Sequence, residues 1–242
     1  MGMDKVPARY EKEACVRGLF SSIAGKYDLM NSVLSLSRHG AWRRFAALKG
    51  GLASGDSALD VCCGTGDFAF ELARIVGDGG RVVGTDFSQP MIEIARAKAG
   101  RRGLQGIEFL TANTCELPFA DGSFDCVTVG FGVRNLADVD AGLGEMARVL
   151  RPGGRLVCLE TGEVRSRLIR PMWRLFFHVL TPYAATLMGA KRWAYEYLPR
   201  SAKGFLAREE LAERLQEHGL GDVSIHDLMF GAVCVHVGTK VI

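Results

Sequence analysis

The stretch Leu59-Asp60-Val61-Cys62-Cys63-Gly64-Thr65-Gly66-Asp67 runs from an apolar, β-branched segment through two closely spaced glycines into a helical pattern. Glycines at Gly64 and Gly66 let the backbone turn tightly and approach a ligand, and the helix that follows offers unpaired N–H groups at its first turn. From Ser57 onward short β-branched runs alternate with longer helical periods, the mark of a parallel sheet with crossover helices. The strand candidates are 58–62, 81–85, 107–111, 124–130 and 154–160, separated by helices over 68–76, 91–102 and 139–150. Arg151-Pro152-Gly153-Gly154 reads as a stop and turn before the fifth strand. After a helix over 208–218, two runs at 223–229 and 232–237 are joined too briefly for a parallel crossover and should pair antiparallel. The expectation is an α/β fold, a seven-stranded mostly parallel sheet closed by a C-terminal antiparallel hairpin.

With 242 residues and 48% hydrophobic content, one full-sized α/β domain is the economical reading. It divides into an N-terminal helical lid region (1–56), an α/β core (57–160), a basic insertion (161–204) and a final helix with its hairpin (205–242). The net charge of +3 hides an asymmetry: eight basic and two acidic residues lie between Thr161 and Gly204, a local balance of +6 that leaves the rest at −3. No stretch has the roughly 20 apolar residues that cross a bilayer, and the charged N-terminus shows no secretory signal. Seven cysteines without a C-x-x-C pair give neither a metal site nor a disulfide framework, so a cytoplasmic protein without metal is expected.

The loop itself discriminates between ligands. Gly64, Gly66 and Ala69 satisfy the loose dinucleotide pattern G-x-G-x-x-A, but Asp60 and Asp67 flank it with negative charge that suits no pyrophosphate. The same surround suits S-adenosylmethionine, which carries an ammonium and a sulfonium. Asp86, ending the second strand beside Phe87, can accept hydrogen bonds from both hydroxyls of a ribose. Asn113 and Thr114, after the third strand, can border an adenine, and Gly130 ends the fourth strand.

Three separated blocks carry a resemblance to the S-adenosylmethionine-dependent C-methyltransferases of ubiquinone and menaquinone biosynthesis. They are Tyr27-Asp28-Leu29-Met30-Asn31 continuing through Leu34-Ser35 to His39 and Trp42, then Phe131-Gly132-Val133-Arg134-Asn135, and Arg148-Val149-Leu150-Arg151-Pro152-Gly153-Gly154. The resemblance implies a Rossmann-like class I methyltransferase in which Thr65, Asp86 and the Asn113-Thr114 pair contact the cofactor. It also implies a lipid quinol substrate, with demethylmenaquinol ahead of a methoxy-benzoquinol precursor of ubiquinone. The chain departs from the family at Thr114 (usually Ala), at Gly130 (often Ser), after Glu160, and near Tyr195.

Methylation of a quinol ring requires the carbon and the donor methyl about 3 Å apart and stabilisation of a developing quinolate. Arg134, always protonated, is assigned that stabilising role, directly or through a water, with Asn135 orienting the water or the quinol oxygen. Tyr195 and His178 are further candidates for contacting substrate, and Tyr27 with Asp28 is expected to fold over the cofactor as a lid. Ile169, Met172, Trp173, Phe176, Phe177 and Leu180 form an apolar helical stripe beside Arg167, Arg170, Arg174 and His178. This face, 165–180, would pack over the site, lie on an anionic membrane where a polyprenyl quinone resides, at the inner face of the membrane, or do both. A homodimer stays open.

Rival readings remain at this level. A nucleic-acid methyltransferase could use the basic segment for phosphates. Against it, the position after the fourth strand reads Gly130-Phe131-Gly132-Val133, not Asn/Asp-Pro-Pro-aromatic, so no nucleic-acid partner is expected. An NAD oxidoreductase of the short-chain type would show Tyr-x-x-x-Lys, which is missing. A non-catalytic nucleotide-binding or membrane-surface module is the third rival.

Overall fold

The computed structural model of the protein describes residues 9–104, 106–175, 201 and 204–241. Its sheet contains β1 (Ser57–Val61), β2 (Arg81–Asp86), β3 (Ile107–Thr111), β4 (Phe124–Gly130), β5 (Leu150–Thr161), β6 (Leu220–Leu228) and β7 (Val233–Lys240). The spatial order is β3-β2-β1-β4-β5-β7-β6, with β1 to β5 parallel and β7 antiparallel to both β5 and β6. Strand order reverses between β1 and β4, and in an open α/β sheet the crevice outside the carboxyl ends at such a reversal is where ligands bind.

Helices cover both faces because the central strands are apolar on both sides. The described helices are α1 (Arg9–Ile23), α2 (Tyr27–Leu34), α3 (His39–Lys49), α4 (Asp67–Val76), α5 (Gln89–Arg101), α6 (Val139–Val149), α7 (Arg170–Leu175) and α8 (Arg208–Glu217). One core joins Ala46 of α3, Phe70 and Leu72 of α4 and Ile92 of α5 to Ala58 and Val82 of the sheet. The other joins Leu143 and Met146 of α6 and Leu211 and Leu215 of α8 to Leu59, Val61 and Val127. Along β1, therefore, Ala58 and Asp60 face the α3 and α4 side while Leu59 and Val61 face the other, the period-2 alternation of a strand.

The strands and helices fall where the sequence places them to within a few residues, with one correction. Arg151 to Gly154 is not a turn that precedes the strand: β5 begins at Leu150 and carries this segment within it, Leu150 pairing with Phe124 and Arg155 with Cys126 across a register shift. Gly153 takes φ +79, so the glycine that reads as a turn is spent on a bulge that re-aims an existing strand.

Aromatic rings support the glycine turn. A Cβ on Gly66 (φ +86) would stand 3.0 Å from the rings of Phe109 and Phe70, and one on Gly84 would stand 2.7 Å from Phe109. Phe109 of β3 thus fills the space that two glycines vacate, which lets the turn lie directly on the sheet.

Candidate functional site

A cleft of about 620 Å³, part of it open to solvent, lies over the carboxyl ends of β1 to β4. Cys62 and Gly64 follow β1, Asp86 and Phe87 close β2, Asn113 and Thr114 follow β3, and Gly130, Phe131 and Gly132 follow from β4; all line it. Tyr27 and Asn135 also face it. Eight of the residues singled out from the sequence therefore share one cavity. Asp60, Thr65, Gly66 and Arg134 do not line it and act from behind its wall. Tyr195 and His178 lie outside the described residues, as does the 176–180 part of the basic stripe.

Two lining residues other than glycine hold left-handed backbone, Cys62 at φ +52 and Phe131 at φ +58. They sit immediately after β1 and β4, one on each side of the strand-order reversal. Such conformations are uncommon for side-chain-bearing residues and persist only where the surroundings enforce them. Here they turn the chain away from the sheet and leave the crevice open. A Cβ on Gly132 would come within 2.6 Å of Cys62, so the absence of a side chain there lets the two bends meet.

Asp86 organises this end of the sheet. Its Oδ2 accepts the Gly64 N–H and its Oδ1 accepts the Ser88 N–H, each at 2.9 Å. Burial pushes the carboxyl up to about 6, only partly offset by those N–H donors. Ser88 precedes α5 but makes no side-chain cap; its hydroxyl meets that of Ser21 at 3.1 Å. Each Asp86 oxygen keeps further acceptor capacity, so a diol at the cleft can be bound in addition to the backbone.

Asp60, beneath the turn, is fully buried and accepts from the Thr128 hydroxyl at 2.8 Å, while its Oδ2 has no donor. Burial drives this carboxyl up to about 7. A buried acceptor without a donor is costly on its own and marks a place for a cationic or N–H-bearing ligand or a water.

Thr65 belongs to a fastening. Its hydroxyl donates to Asp28 Oδ1 at 2.5 Å, and Lys98 Nζ reaches Thr65 Oγ1 at 3.1 Å and both Asp28 Oδ2 and Asp67 Oδ1 at 2.7 Å. Burial tends to raise the Asp67 carboxyl, but the hydrogen bond and charge of Lys98 outweigh it and hold that acid below its ordinary value. Lys98, from α5, thereby ties α2 to the first turn of α4. That tie holds Tyr27 over the glycine turn, its ring 3.5 Å from where a Gly64 Cβ would be.

Helix α1 forms the outer wall, which sequence reasoning did not resolve into residues. Glu13 and Phe20 line the cleft, Arg17 lies 5.8 Å above the Phe87 ring, and Lys12 Nζ donates to the Leu136 carbonyl at 2.5 Å. Only the helical spacing of Val16, Leu19 and Phe20 hints at this in the sequence. On the opposite side Arg134 is buried and ion-paired with the buried Glu160 through its guanidinium. Arg134 Nε remains buried without an acceptor. Thr161, where the chain departs from the family it resembles, donates its N–H (2.8 Å) and hydroxyl (3.3 Å) to Glu160 Oε1. Asn135 Nδ2 donates to the Phe131 carbonyl at 3.1 Å, which fixes its amide at the rim. The other two departures within the cleft are absorbed locally: the Thr114 hydroxyl meets Cys62 Sγ at 3.4 Å, and at Gly130 a Cβ would press on Phe68 at 3.1 Å.

The lining carries two carboxyl groups, Glu13 and Asp86, and among the described residues no group of His, Cys, Asp and Glu is arranged to hold a metal ion. It offers acidic and amide acceptors, aromatic faces and buried cations behind one wall, an arrangement for an adenosine-type ligand with a charged tail.

Comparison with known proteins gives the same picture from another direction. The pattern of the ubiE/COQ5 methyltransferase family matches residues 8–240. The demethylmenaquinone methyltransferase of Geobacillus stearothermophilus is 40% identical over 232 residues, 96% of this chain and 99% of its own. That of Geobacillus kaustophilus is 41% identical over 229 residues, 95% and 98% of the two chains. Among solved structures, an S-adenosylmethionine-dependent methyltransferase from Aquifex aeolicus superposes with a TM-score of 0.63 at 21% identity, over 89% of this chain and 98% of that one. At that identity the likeness bears on the fold alone, and it is the class I methyltransferase fold.

The Lys98 fastening generates a direct expectation. Lys98→Met leaves the half-exposed Asp28 without its cation and Asp67 with only Arg102, 3.7 Å away, so stability should fall by about 1–3 kcal/mol. Tyr27 should also be freed from the glycine turn, which limited proteolysis within α2 would report. An unchanged urea midpoint together with unchanged protection of α2 would show that Lys98 fastens nothing.

Proposed function

Because the chain belongs to the ubiE/COQ5 methyltransferase family, we propose that it transfers a methyl group from S-adenosylmethionine to a ring carbon of a reduced polyprenyl quinone, demethylmenaquinol in the first instance. The observation that carries the choice of substrate is the roughly 40% identity, over nearly the whole of both chains, to proteins named demethylmenaquinone methyltransferase. A methoxy-benzoquinol precursor of ubiquinone is the second reading, favoured by the breadth of a family described by both ubiE and COQ5.

The cleft suits the cofactor on grounds of its own. Asp86 retains lone pairs for the ribose hydroxyls, Asn113 and Thr114 border the adenine side beside Phe87, and the donor-less Asp60 Oδ2 answers an ammonium through the glycine turn. When bound, S-adenosylmethionine supplies an electrophilic methyl group on a sulfonium. The residues then have three tasks. Tyr27, fastened through its neighbour Asp28 to Lys98, closes the turn and excludes water. Phe131 and Asn135 present the quinol ring, the Asn135 amide being held by the Phe131 carbonyl. Arg134, fixed by Glu160, lends positive potential to the oxygen on which charge develops as the ring carbon forms its new bond. Its unfilled Nε donor serves that oxygen through a water. After transfer the ring carbon loses its proton and aromaticity returns.

The direct test is incubation with methyl-labelled S-adenosylmethionine and a panel of reduced naphthoquinones and benzoquinones, followed by identification of the labelled lipid. Label on the naphthoquinone ring is expected; label on a benzoquinone alone would favour the second reading, and none on either would refute the proposal. In the same assay Arg134→Lys, which keeps a cation opposite Glu160 but loses the guanidinium fork, should lower kcat by about 10–100-fold with cofactor affinity nearly unchanged. Arg134→Ala is the poorer probe, because it strands a buried carboxylate at a cost of about 3–5 kcal/mol.

Asp86 sets a pH dependence. Its folded-state value, about 6, lies above that of a free carboxyl, so protonation is favoured by folding and ionisation above that pH costs stability in the ligand-free protein. Ribose hydroxyls bind the ionised form as donors. Affinity for S-adenosylhomocysteine should therefore decline as pH falls below about 6, approaching roughly tenfold per pH unit. Asp86→Asn should bind more weakly and lose that step; a wild-type affinity flat from pH 7 to pH 5 would remove the role.

The substrate's lipid tail favours membrane contact. Leu168, Met172 and Leu175, spaced four and three residues apart, are 89%, 71% and 55% exposed, with the 67% exposed Arg165 side chain alongside. Among the described residues no helix is long and apolar enough to cross a membrane. Anionic vesicles should carry the protein in flotation, less so as salt rises; no flotation at low salt would exclude this face as the route of entry.

A further inference from the structure

Three basic side chains among the described residues are less than a tenth exposed: Arg43, Lys98 and Arg134. Lys98 and Arg134 each face carboxylates at ion-pair distance. Arg43, 7% exposed, has no carboxylate partner among the described residues, and its hydrogen bond is to a histidine, NH1 to His39 Nδ1 at 2.5 Å.

The surrounding hydrogen bonds fix what that histidine is. Ser32 Oγ donates to the Asp28 carbonyl at 2.9 Å, so toward His39 Nε2, 3.2 Å away, it can only accept. His39 therefore carries its proton on Nε2 and offers a bare Nδ1 to the guanidinium. Burial first, and the Arg43 charge second, hold His39 below its ordinary value, which keeps the ring neutral. The relay orients Arg43 and supplies no compensating charge. Of five guanidinium donors one is used. A buried cation left in that state is expensive unless an anion joins it.

The position of Arg43 says which anion. Helix α3 packs on the sheet face that carries Asp60, and Trp42, beside Arg43, meets the cleft-lining Phe131 in a tilted ring contact at 6.4 Å. Arg43 stands behind the lining of the cleft, and its charge favours the ionised forms of Tyr27, Asp60 and Asp67, the residues that bracket the glycine turn. The turn is thus flanked by a carboxyl whose Oδ2 lacks a donor and by a guanidinium that, among the described residues, has no carboxylate at ion-pair distance. Those are the two complements of an α-amino acid head group, ammonium and carboxylate. A quinolate is the weaker match, since it carries charge only during turnover, whereas Arg43 is charged and buried throughout.

We propose that Arg43 binds the carboxylate of the cofactor's methionine moiety, held in aim by the His39–Ser32 relay. This rests on the S-adenosylmethionine reading of the cleft. Calorimetry with S-adenosylmethionine and its decarboxylated form, which differ by that carboxylate alone, tests it on the full chain. Wild-type protein should prefer the carboxylate-bearing ligand by about 10–100-fold, as expected of a charge-assisted, bidentate contact. Arg43→Met should abolish the preference by weakening S-adenosylmethionine binding, with affinity for the decarboxylated form within about threefold of wild type. Arg43→Lys should restore part of it.

Equal loss for both ligands in Arg43→Met would mean a structural role and overturn the proposal, as would unchanged binding of both with a raised KM for the quinol. Absence of any preference in the wild-type protein overturns it without recourse to a variant, should Arg43→Met not fold. If the wild-type protein binds neither ligand, the reading of the cleft itself fails and this assignment fails with it. Tight wild-type binding of both ligands without discrimination leaves the cleft reading standing and removes Arg43 alone.

Discussion

The carboxylate of Asp86 is the constraint on which the rest of the cleft depends. One oxygen holds the backbone of the glycine turn and the other holds the chain as it enters α5, so the ends of β1 and β2 are pinned to one group. A turn with Gly64 at φ +54 and Gly66 at φ +86 has no regular structure to stabilise it. It is fixed instead from the side by Asp86, from below by the Phe109 ring, and from above by Tyr27. The same carboxylate lies open to the cleft. Its hydrogen bonds to the backbone position it as an acceptor before any ligand arrives, the preorganisation that a binding site needs.

Around that point the charges are deployed unequally. Lys98 is saturated by two acids and a hydroxyl, and serves as a fastening. Arg134 is neutralised by Glu160 and keeps one orphan donor, Nε. Arg43 faces a neutral imidazole. The three cations thus range from Lys98, paired with two acids, to Arg43, which has no carboxylate at ion-pair distance among the described residues. Burying such groups costs stability in the ligand-free protein.

The fold was legible because its signals are local and repetitive. The β-branched runs, the Gly64-Thr65-Gly66 turn and the short link before β7 each determine their own geometry, and β1 to β4 fall within a residue or two of the periodic pattern. The β5 bulge was not, because a Pro-Gly-Gly segment signals a turn whether or not neighbouring strands pair across it. In the site, Asp86, Asn113 and Gly130 could be found because they end strands or closely follow one, where a parallel sheet brings residues together. The pairings could not. Asp28 and Lys98 are 70 residues apart, and Arg134 and Glu160 are 26 apart, so only the packed structure matches them. The hydrogen bonds of Thr65, which the resemblance implies as a cofactor contact, to Asp28 and Lys98 likewise join residues far apart in the chain. The contribution of α1, through Glu13 and Phe20, lacked a motif altogether.

The acidic glycine turn is expected to select S-adenosylmethionine and its product over a dinucleotide. Calorimetric titration of the full chain with S-adenosylhomocysteine and, separately, with NADH measures that selection directly. Saturable one-to-one binding of S-adenosylhomocysteine with no measurable heat from NADH is the predicted result. Binding of NADH without S-adenosylhomocysteine would contradict it and return the glycine turn to the dinucleotide class.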